Sequence, residues 1–332
     1  MNLAPTDDSL AWAKLAEFFP SHGTVLDIPK HIIAGKRVLV TGAGGSVGSE
    51  ICRQVAACEP ASLVLLDRDE YALHSLSLSL FDQALLDTPN FVLADIRDAD
   101  TVREHFLRHR PEVVFHSAAL KHQPLLEQYP REAWKTNVLG TANVLAAAQE
   151  VDVERFVTIS TDKAADPTTY LGHSKHLAER LTAWMGQQQG GKYVSVRFGN
   201  VIASRGSAIW TFRHQLLQGV PVTVVHPEAS RYFMSISQAC SLVLQAAAIG
   251  ESGEVLVLDM GQPVKIVDLV AHLAKALDVP DYEVVFTGLR PGEKLHEVRI
   301  GYHESNDRPR HPMISHVQVP LLDPTLLGAP PW

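Results

Sequence analysis

The sequence has little cysteine, no basic excess and no long hydrophobic run, and each absence narrows what the chain can do. Cys52, Cys58 and Cys240 are its three cysteines in 332 residues, and none are in CxxC spacing. They read as reduced packing residues rather than metal ligands, which points to a cytoplasmic protein with no metal site. Lysine and arginine number 29 against 37 acidic residues, a net charge of -8. That balance lacks the basic footprint of a nucleic-acid binder, although single arginines can still hold an anionic small molecule. The longest apolar runs are strand-sized, well short of the roughly 18 residues that span a bilayer. The N-terminus has no basic segment leading into an apolar signal core. No internal repeat is evident, and Gln187-Gln188-Gln189 is too short to be low complexity.

From Lys36 onward, apolar runs alternate with helical patterns, as in a Rossmann-type α/β fold with a doubly wound parallel sheet. Strands are expected at 37–41, 62–67, 91–94, 113–116, 156–160, 193–198 and 255–258. Helices are expected at 46–57, 131–149 and 174–188. In the last, Leu177, Leu181, Trp184 and Met185 recur as a buried stripe, and Gly190-Gly191 ends it. After Phe198 the pattern loosens around Gly199, Gly206, Gly219 and Pro221, and seven prolines follow from Pro291 onward. The expected organisation is an extension at 1–35, a sheet domain at 36–200 and 235–262, and a smaller substrate lobe at 201–234 and 263–332. Within the extension, Leu10, Trp12, Leu15, Phe18 and Phe19 suggest a short amphipathic helix at 8–19, packing on the main domain or on another subunit.

Thr41-Gly42-Ala43-Gly44-Gly45-Ser46-Val47-Gly48 joins a valine-rich strand to a helix, the context in which a glycine motif signals dinucleotide binding. Glycine lets the backbone turn tightly and approach a pyrophosphate, whose charge then sits at the helix N-terminus. Gly42, Gly45, Ser46, Val47 and Gly48 are therefore candidate contacts. Asp67 ends the next strand, where a carboxylate can take the adenosine ribose hydroxyls. This favours NAD, while the neighbouring Arg68 could accommodate the 2′-phosphate of NADP. Asp95-Ile96 is placed to meet the adenine, or else Asp95 is a turn or helix-cap residue. Ala118 and Ala119 are small enough for a dinucleotide to approach closely. Asn137, inside a helix, either supports the site by hydrogen bonding or tethers helix to strand.

The most informative stretch is Ser160-Thr161-Asp162-Lys163, with Lys175 twelve residues after Lys163. It sets a hydroxyl, a carboxylate and an amine at a strand's carboxyl end, where ligands bind in open α/β sheets. The alternative makes Asp162 a cap and Lys163 its solvated partner. A lysine base must be neutral, so desolvation and a neighbouring cation would have to lower its proton affinity against the pull of Asp162.

Seven segments carry a resemblance: 38–50 (VLVTGAGGSVGSE), 116–124 (HSAALKHQP), 160–175 (STDKAADPTTYLGHSK), 197–207 (RFGNVIASRGS), 231–234 (RYFM), 255–268 (VLVLDMGQPVKIVD) and 288–294 (GLRPGEK). The chain resembles extended short-chain dehydrogenases/reductases, and more narrowly the nucleotide-sugar 4,6-dehydratases of the CapD-like capsule and O-antigen polysaccharide-biosynthesis family. The resemblance implies NAD-dependent oxidation at the sugar C4, loss of water across C5–C6 and return of hydride to C6, with UDP-N-acetylglucosamine as the expected substrate. It makes Lys163 the base at C5, Asp162 the acid for the departing hydroxyl, Thr161 a hydrogen-bonding group near C4 and Lys175 the holder of the nicotinamide ribose. Lys121 and His122 would border the sugar, although His122 reads equally as a structural histidine. The wider superfamily has Tyr four residues before the lysine. Here that position is Leu171, with Tyr170 one residue out of register, and Asp166 replaces a common Asn.

Asn200, Arg205, Ser207, Arg231, Arg290 and Glu293 are the candidate contacts to the rest of the UDP-sugar. Arg231 and Arg290 can clasp a diphosphate, and Glu293 can hold the nucleotide ribose. Each arginine taken alone also fits a surface ion pair. A nucleotide-sugar 4-epimerase shares the fold, cofactor and C4 oxidation, but it needs no C5 base. A 5,6-dehydratase and a non-catalytic NAD-binding sensor are further alternatives. Family resemblance and the apolar helices on the sheet point to a homodimer or larger homo-oligomer.

Overall fold

The computed structural model describes Leu15, Phe18, Phe19 and residues 28–332 apart from Leu85, Gln189, Asn306 and Pro309. Most of the helix expected at 8–19, including Leu10 and Trp12, lies outside the described residues. In chain order the strands are β1 (Arg37–Thr41), β2 (Ser62–Asp67), β3 (Phe91–Leu93), β4 (Val113–His116), β5 (Arg155–Thr161), β6 (Lys192–Phe198) and β7 (Asn200–Val201). They continue with β8 (Val222–Val224), β9 (Ser230–Arg231), β10 (Phe233–Met234), β11 (Val255–Leu258), β12 (Val264–Lys265), β13 (Val284–Phe286) and β14 (Ile314–Val317).

The chain divides into two compact units, the larger comprising Leu26–Phe198, Ser237–Asp259 and Val298–Trp332. Its frame is an eight-stranded sheet in the order β14-β11-β6-β5-β4-β1-β2-β3. All neighbours pair in parallel except β14, which runs antiparallel to β11. Helices cover the sheet, so its central strands are buried on both faces, which accounts for their unbroken valine- and leucine-rich runs. The doubly wound parallel sheet expected from the sequence is therefore present. The order reverses between β1 and β4, and the carboxyl ends of these two strands flank the crevice where such sheets take ligands.

Three details depart from expectation. The helix expected at 174–188 runs from Tyr170 to Gly186, because the Thr169 hydroxyl accepts from the Gly172 amide at 3.1 Å and caps it four residues earlier. The helix expected at 131–149 is Pro130–Ala133 and Gly140–Glu150, joined by a π-helical turn at Trp134–Leu139 that carries Asn137. At the C-terminal end, residues 298–332 belong to the larger unit, where β14 extends the sheet; the lobe had been expected to include them. This four-residue strand interrupts its apolar run with Ser315 and His316 amid prolines, so no strand pattern marks it.

The smaller unit comprises Gly199–Ile236 and Met260–Glu297, with the described residues before Val25. Short ladders β7·β10, β9·β12 and β8·β13 tie its loops together. Helices Ala208–Gln218 and Ile266–Ala276 share a core of Ile209, Phe212, Leu216, Leu269, Val270 and Leu273. Leu15 and Phe19 are buried in that core, and Phe18 stacks on His272 with ring centroids 3.6 Å apart. Leu15, Phe18 and Phe19 of the extension thus pack on this unit, while residues 28–35 belong to the larger one.

Candidate active site

The loop after β1 is built from backbone approaching backbone. Gly42 has φ +65°, and a Cβ there would lie 2.6 Å from the Ala118 amide nitrogen, beyond the end of β4. Only glycine fits a left-handed turn pressed that closely against a neighbouring chain. Helix Ser46–Ala56 begins with Ser46 and Val47, and its N-cap, Gly45, carries no side chain to cap the first amides, as a pyrophosphate site requires. The Asp67 carboxylate is fixed at the end of β2 by the Gly44 amide at 2.9 Å and the Asp69 amide at 3.0 Å. These residues fit a dinucleotide: a glycine cradle, a helix N-terminus and an anchored carboxylate follow one another along the strand ends.

The neighbouring acid is employed differently. Asp95 takes Arg97 through Nη2 at 2.6 Å and Nε at 2.9 Å, and Arg68 approaches it at 3.6 Å. Burial raises its carboxyl, but the hydrogen bonds and charge of Arg97 prevail and hold it below the ordinary range. Asp95 is thus a turn residue in an ion-pair cluster, and the cap of the following helix is Asp98. Arg68, the candidate for a 2′-phosphate, is drawn towards that cluster. Ile96 is buried, with its side chain against Gly140.

A buried hydrogen-bond chain that no sequence motif marks links β1, β4 and the helix carrying Thr141. Thr141 Oγ1 donates to the Asn137 carbonyl at 2.8 Å and therefore accepts from His116 Nε2 at 2.9 Å. That assignment leaves Nδ1 as the acceptor for Thr41 Oγ1 at 2.7 Å. Burial, helped by the charge of Lys175, pushes His116 down to about 3, so its imidazole is neutral. Asn137 is wholly buried and grips both backbone groups of Leu120, at 2.8 and 3.0 Å, while reaching Ser174 Oγ at 3.0 Å. It fixes the strand-end segment bearing Ala118, Ala119, Lys121 and His122 to the helix that carries Lys175. Lys121 and His122 are exposed at the start of helix Gln123–Gln128.

The turn after β5 is built from side chains. Thr161 Oγ1 donates to Asp162 Oδ1 at 3.0 Å, and Lys163 Nζ donates to the same oxygen at 3.0 Å. Asp162 has no exposed surface, and its second oxygen, Oδ2, has no hydrogen-bond partner among the described residues. An unsatisfied carboxylate oxygen in such a position is costly unless a ligand completes it. Helix Tyr170–Gly186 is pressed against this turn, for a Cβ on Gly172 would lie 2.4 Å from the Lys163 carbonyl. One turn on, Lys175 is 5% exposed. Burial pushes its amine down to about 8, with Glu179 pulling the other way.

The position four residues before Lys175 offers no hydroxyl. Leu171 is buried in an apolar cluster with Leu126 and Ala133. The Tyr170 ring lies 5.6 Å from that of Trp332, and its amide donates to Glu127 at 2.8 Å.

Sequence reasoning also missed an ionic network behind the turn. Arg197, on β6, has no exposed surface. It meets Glu179 through Nη2 at 2.7 Å and Nε at 3.1 Å, and Glu304 through Nη1 at 2.7 Å and Nη2 at 3.1 Å. Ser160 Oγ donates to Glu179. Burial would raise the Glu179 carboxyl, but the guanidinium of Arg197 and the donors around it hold it well below the carboxylate range.

Within the smaller unit, Arg231 is buried at the end of β9, donating to the Ser230 and Leu295 carbonyls at 2.8 and 3.0 Å. Its charge meets Glu293 at 3.4 Å and Glu297 at 3.9 Å. Glu293 also accepts from the Arg290 amide at 3.1 Å. The structure thus brings Arg231, Glu293 and Arg290 together, with the Arg290 side chain exposed. Ser207 stands at the N-cap of helix Ala208–Gln218, yet its Oγ is buried without a partner among the described residues. Asn200 lies on β7, its amide donating to Tyr232 O at 3.0 Å, and Arg205 is exposed in the following loop. The described residues contain no cluster of three or more metal-ligating side chains, and none of their helices is long and apolar enough to cross a membrane.

The model of a family described as "Polysaccharide biosynthesis protein" matches residues 38–319. Among curated proteins, the probable polysaccharide biosynthesis protein EpsC of Bacillus subtilis is 45% identical over 277 residues, covering 82% of this chain and 46% of EpsC. The chain therefore spans about half the length of that relative. Among solved structures, Pen from Bacillus thuringiensis aligns with a TM-score of 0.79 and 32% identity, over 87% of this chain and 91% of Pen. A Thermus thermophilus UDP-glucose 4-epimerase in complex with NAD aligns with a TM-score of 0.66 and 25% identity, over 79% of this chain and 89% of the epimerase.

Proposed function

The chain belongs to the polysaccharide biosynthesis protein family, and from that premise we propose that it is an NAD-dependent UDP-N-acetylglucosamine 4,6-dehydratase. The observation that carries this reading is the Asp162–Lys163 pair: a buried carboxylate with one oxygen on the lysine amine and the other lacking a partner among the described residues. NAD would be held by Gly42, Gly45, Ser46, Val47, Gly48 and Asp67, with Ile96, Ala118 and Ala119 lining the crevice and Lys175 on the nicotinamide ribose. Held there, NAD would supply the hydride acceptor for C4 and the hydride donor for C6. Lys121, His122 and Thr161 would border the sugar. Asn200, Arg205, Ser207, Arg231, Arg290 and Glu293 would receive the diphosphate and nucleotide. Support for that assignment comes from the buried Ser207 hydroxyl at a helix N-terminus, without a partner among the described residues, and from the exposed Arg290 guanidinium. Arg231, already paired with Glu293 and Glu297, would contribute mainly by holding Glu293 in place.

The charge state of the pair suits elimination. A carboxylate beside an ammonium and a carboxylic acid beside an amine contain the same number of protons, and burial favours the neutral form. In that form Lys163 can accept the C5 proton while Asp162 gives its proton to the hydroxyl leaving C6. The C4 hydroxyl proton leaves to solvent at the oxidation, before the elimination; afterwards Lys163 returns a proton to C5 and solvent returns one to Asp162. The net change is loss of one water.

A 4-epimerase is the second reading, favoured by the likeness to an epimerase structure. It leaves the Asp162–Lys163 pair without a task, since no proton leaves C5. Incubation with UDP-N-acetylglucosamine in deuterated water separates the readings by mass spectrometry and NMR. Loss of one water with deuterium at C5 and a new C6 methyl group is the expected result. The C4 epimer with no water lost would replace the dehydratase by the epimerase, and a 5,6-alkene would indicate hydride return to C4. NAD bound with no change in any UDP-sugar would leave the sensor. The proposed working form is a homodimer or larger homo-oligomer, which sedimentation would test.

A further inference from the structure

Behind the catalytic turn, Arg197 is enclosed between two carboxylates that come from distant parts of the chain. Glu179 lies on helix Tyr170–Gly186, four residues after Lys175; Glu304 follows the short turn at 301–304, in which the Gly301 amide donates to its Oε2 at 2.6 Å. Both carboxylates meet the guanidinium by two hydrogen bonds each, and Arg197 Nη1 also donates to the Arg299 carbonyl at 3.0 Å. The same short segment touches the turn directly: the Tyr302 amide donates to Asp166 Oδ2 at 2.9 Å. Asp166 has φ +44°, a conformation Asp tolerates better than most residues, and this bond holds it there. On the far side of Glu179, Ser160 binds the carboxylate one residue before Thr161. The segment 299–304 therefore reaches the two flanks of Thr161-Asp162-Lys163 by independent routes.

We infer that Glu304 is a positioning residue for the catalytic turn, acting through Arg197 and Glu179 on Ser160, while its segment holds Asp166. Glu304 touches no reacting group. It balances the second half of a buried guanidinium, so that Arg197 holds the Glu179 carboxylate in one orientation and Ser160 stays at the strand end. A buried charge that loses one partner reorients or draws in water, and the strand end then moves with it. The catalytic part of this inference rests on the dehydratase reading; the ordering of the turn does not.

The test uses the full chain as Glu304→Gln, Glu304→Asp and Ser160→Ala, with His303→Ala as a control in the same segment at an exposed side chain. Amide hydrogen exchange of peptides covering 160–169 reports order in the turn whether or not the sugar reaction is the one proposed. Glu304→Gln and Ser160→Ala should exchange faster there, while peptides covering β1 and β4 keep the wild-type rate and NAD affinity is unchanged. Glu304→Asp should recover most of the protection, and His303→Ala should match wild type. In the dehydration assay, kcat should fall about 10- to 100-fold in Glu304→Gln with little change in KM, the effect of misplacing a reacting group. Ser160→Ala decides the matter if Glu304→Gln does not fold. Wild-type exchange at 160–169 in Ser160→Ala and in any folded Glu304→Gln would overturn the inference. So would a uniform rise across the sheet, which marks general destabilisation. Altered exchange without dehydration in the wild type would leave the positioning intact and remove the proposed reaction.

Discussion

The two ends of the crevice are built from different materials. The dinucleotide end, after β1, depends on backbone: Gly42 against Ala118, and two amides on Asp67. The catalytic end, after β5, depends on charge: Asp162 with Lys163, a desolvated Lys175, and Glu179–Arg197–Glu304 behind them. Backbone packing resists pH and is broken by a single added methyl. A charged turn can be adjusted over several pH units and broken by isosteric loss of charge. On the proposed reading, the site would hold its cofactor by shape and its chemistry by electrostatics, and the two should fail separately.

The largest expected separation comes from Lys163→Ala. Removing a proton acceptor should lower dehydration by about 10²- to 10⁴-fold. NAD affinity, set at the other end, should be unchanged by isothermal titration. Comparable losses of both would mean the ends are coupled and the contrast is wrong.

Lys175 sharpens the same contrast through pH. Burial holds its amine at about 8 when folded, below the ordinary 10.5 of a lysine, so the unfolded chain binds more protons between those values. Stability should therefore rise with pH across that window, by roughly 3 kcal/mol, while the cost of burying the charge is present in full below about pH 8. Urea unfolding of the NAD-free protein from pH 7 to 10.5, compared with Lys175→Met, isolates the contribution. A wild-type curve parallel to that of the variant would place the amine in a wetter setting.

Gly42→Ala attacks the backbone end. With φ +65° and a Cβ 2.6 Å from a backbone nitrogen, alanine must displace the chain. Strain of this kind corresponds to a weakening of NAD binding on the order of 10- to 100-fold. The loss should not vary between pH 6 and 9, unlike any effect at the catalytic turn.

What the sequence made legible follows the same division. The glycine loop, Asp67 and the Thr161-to-Lys175 stretch are local patterns on single strand–turn–helix units, so neighbouring residues announce them. Arg197 meets Glu304 across 107 positions, and no local pattern predicts such a pairing. His116 looks like one more member of a buried strand until Thr41 and Thr141 are seen at its two nitrogens. Asp95 reads equally as a ligand or a turn residue, and its ion pairs with Arg97 and Arg68 are what no local motif announces. The edge strand β14 lacked signal for a different reason: an antiparallel edge of four residues needs no long apolar run when β11 supplies its pairing.

The smallest expected effect concerns the departure from the wider superfamily. A tyrosine four residues before the lysine is replaced by Leu171, and an adjacent Tyr170 invites the idea that it has taken over. The geometry argues otherwise. Leu171 fills an apolar cluster with Leu126 and Ala133, while the Tyr170 ring packs with Trp332, whose own ring also meets Trp134 and His173. A ring occupied in that way holds the start of the helix through its face, and the expectation is that its hydroxyl is dispensable. Tyr170→Phe keeps the face and should change kcat by less than about twofold, whereas loss of a proton-transfer group would cost at least about 100-fold. Tyr170→Ala should cost about 1 kcal/mol of stability through the lost aromatic pair, read from the midpoint of denaturation. A large fall in kcat for the phenylalanine variant would give Tyr170 a part in the proton transfer at C4, and the catalytic end would then extend from the β5 turn into the first turn of the helix.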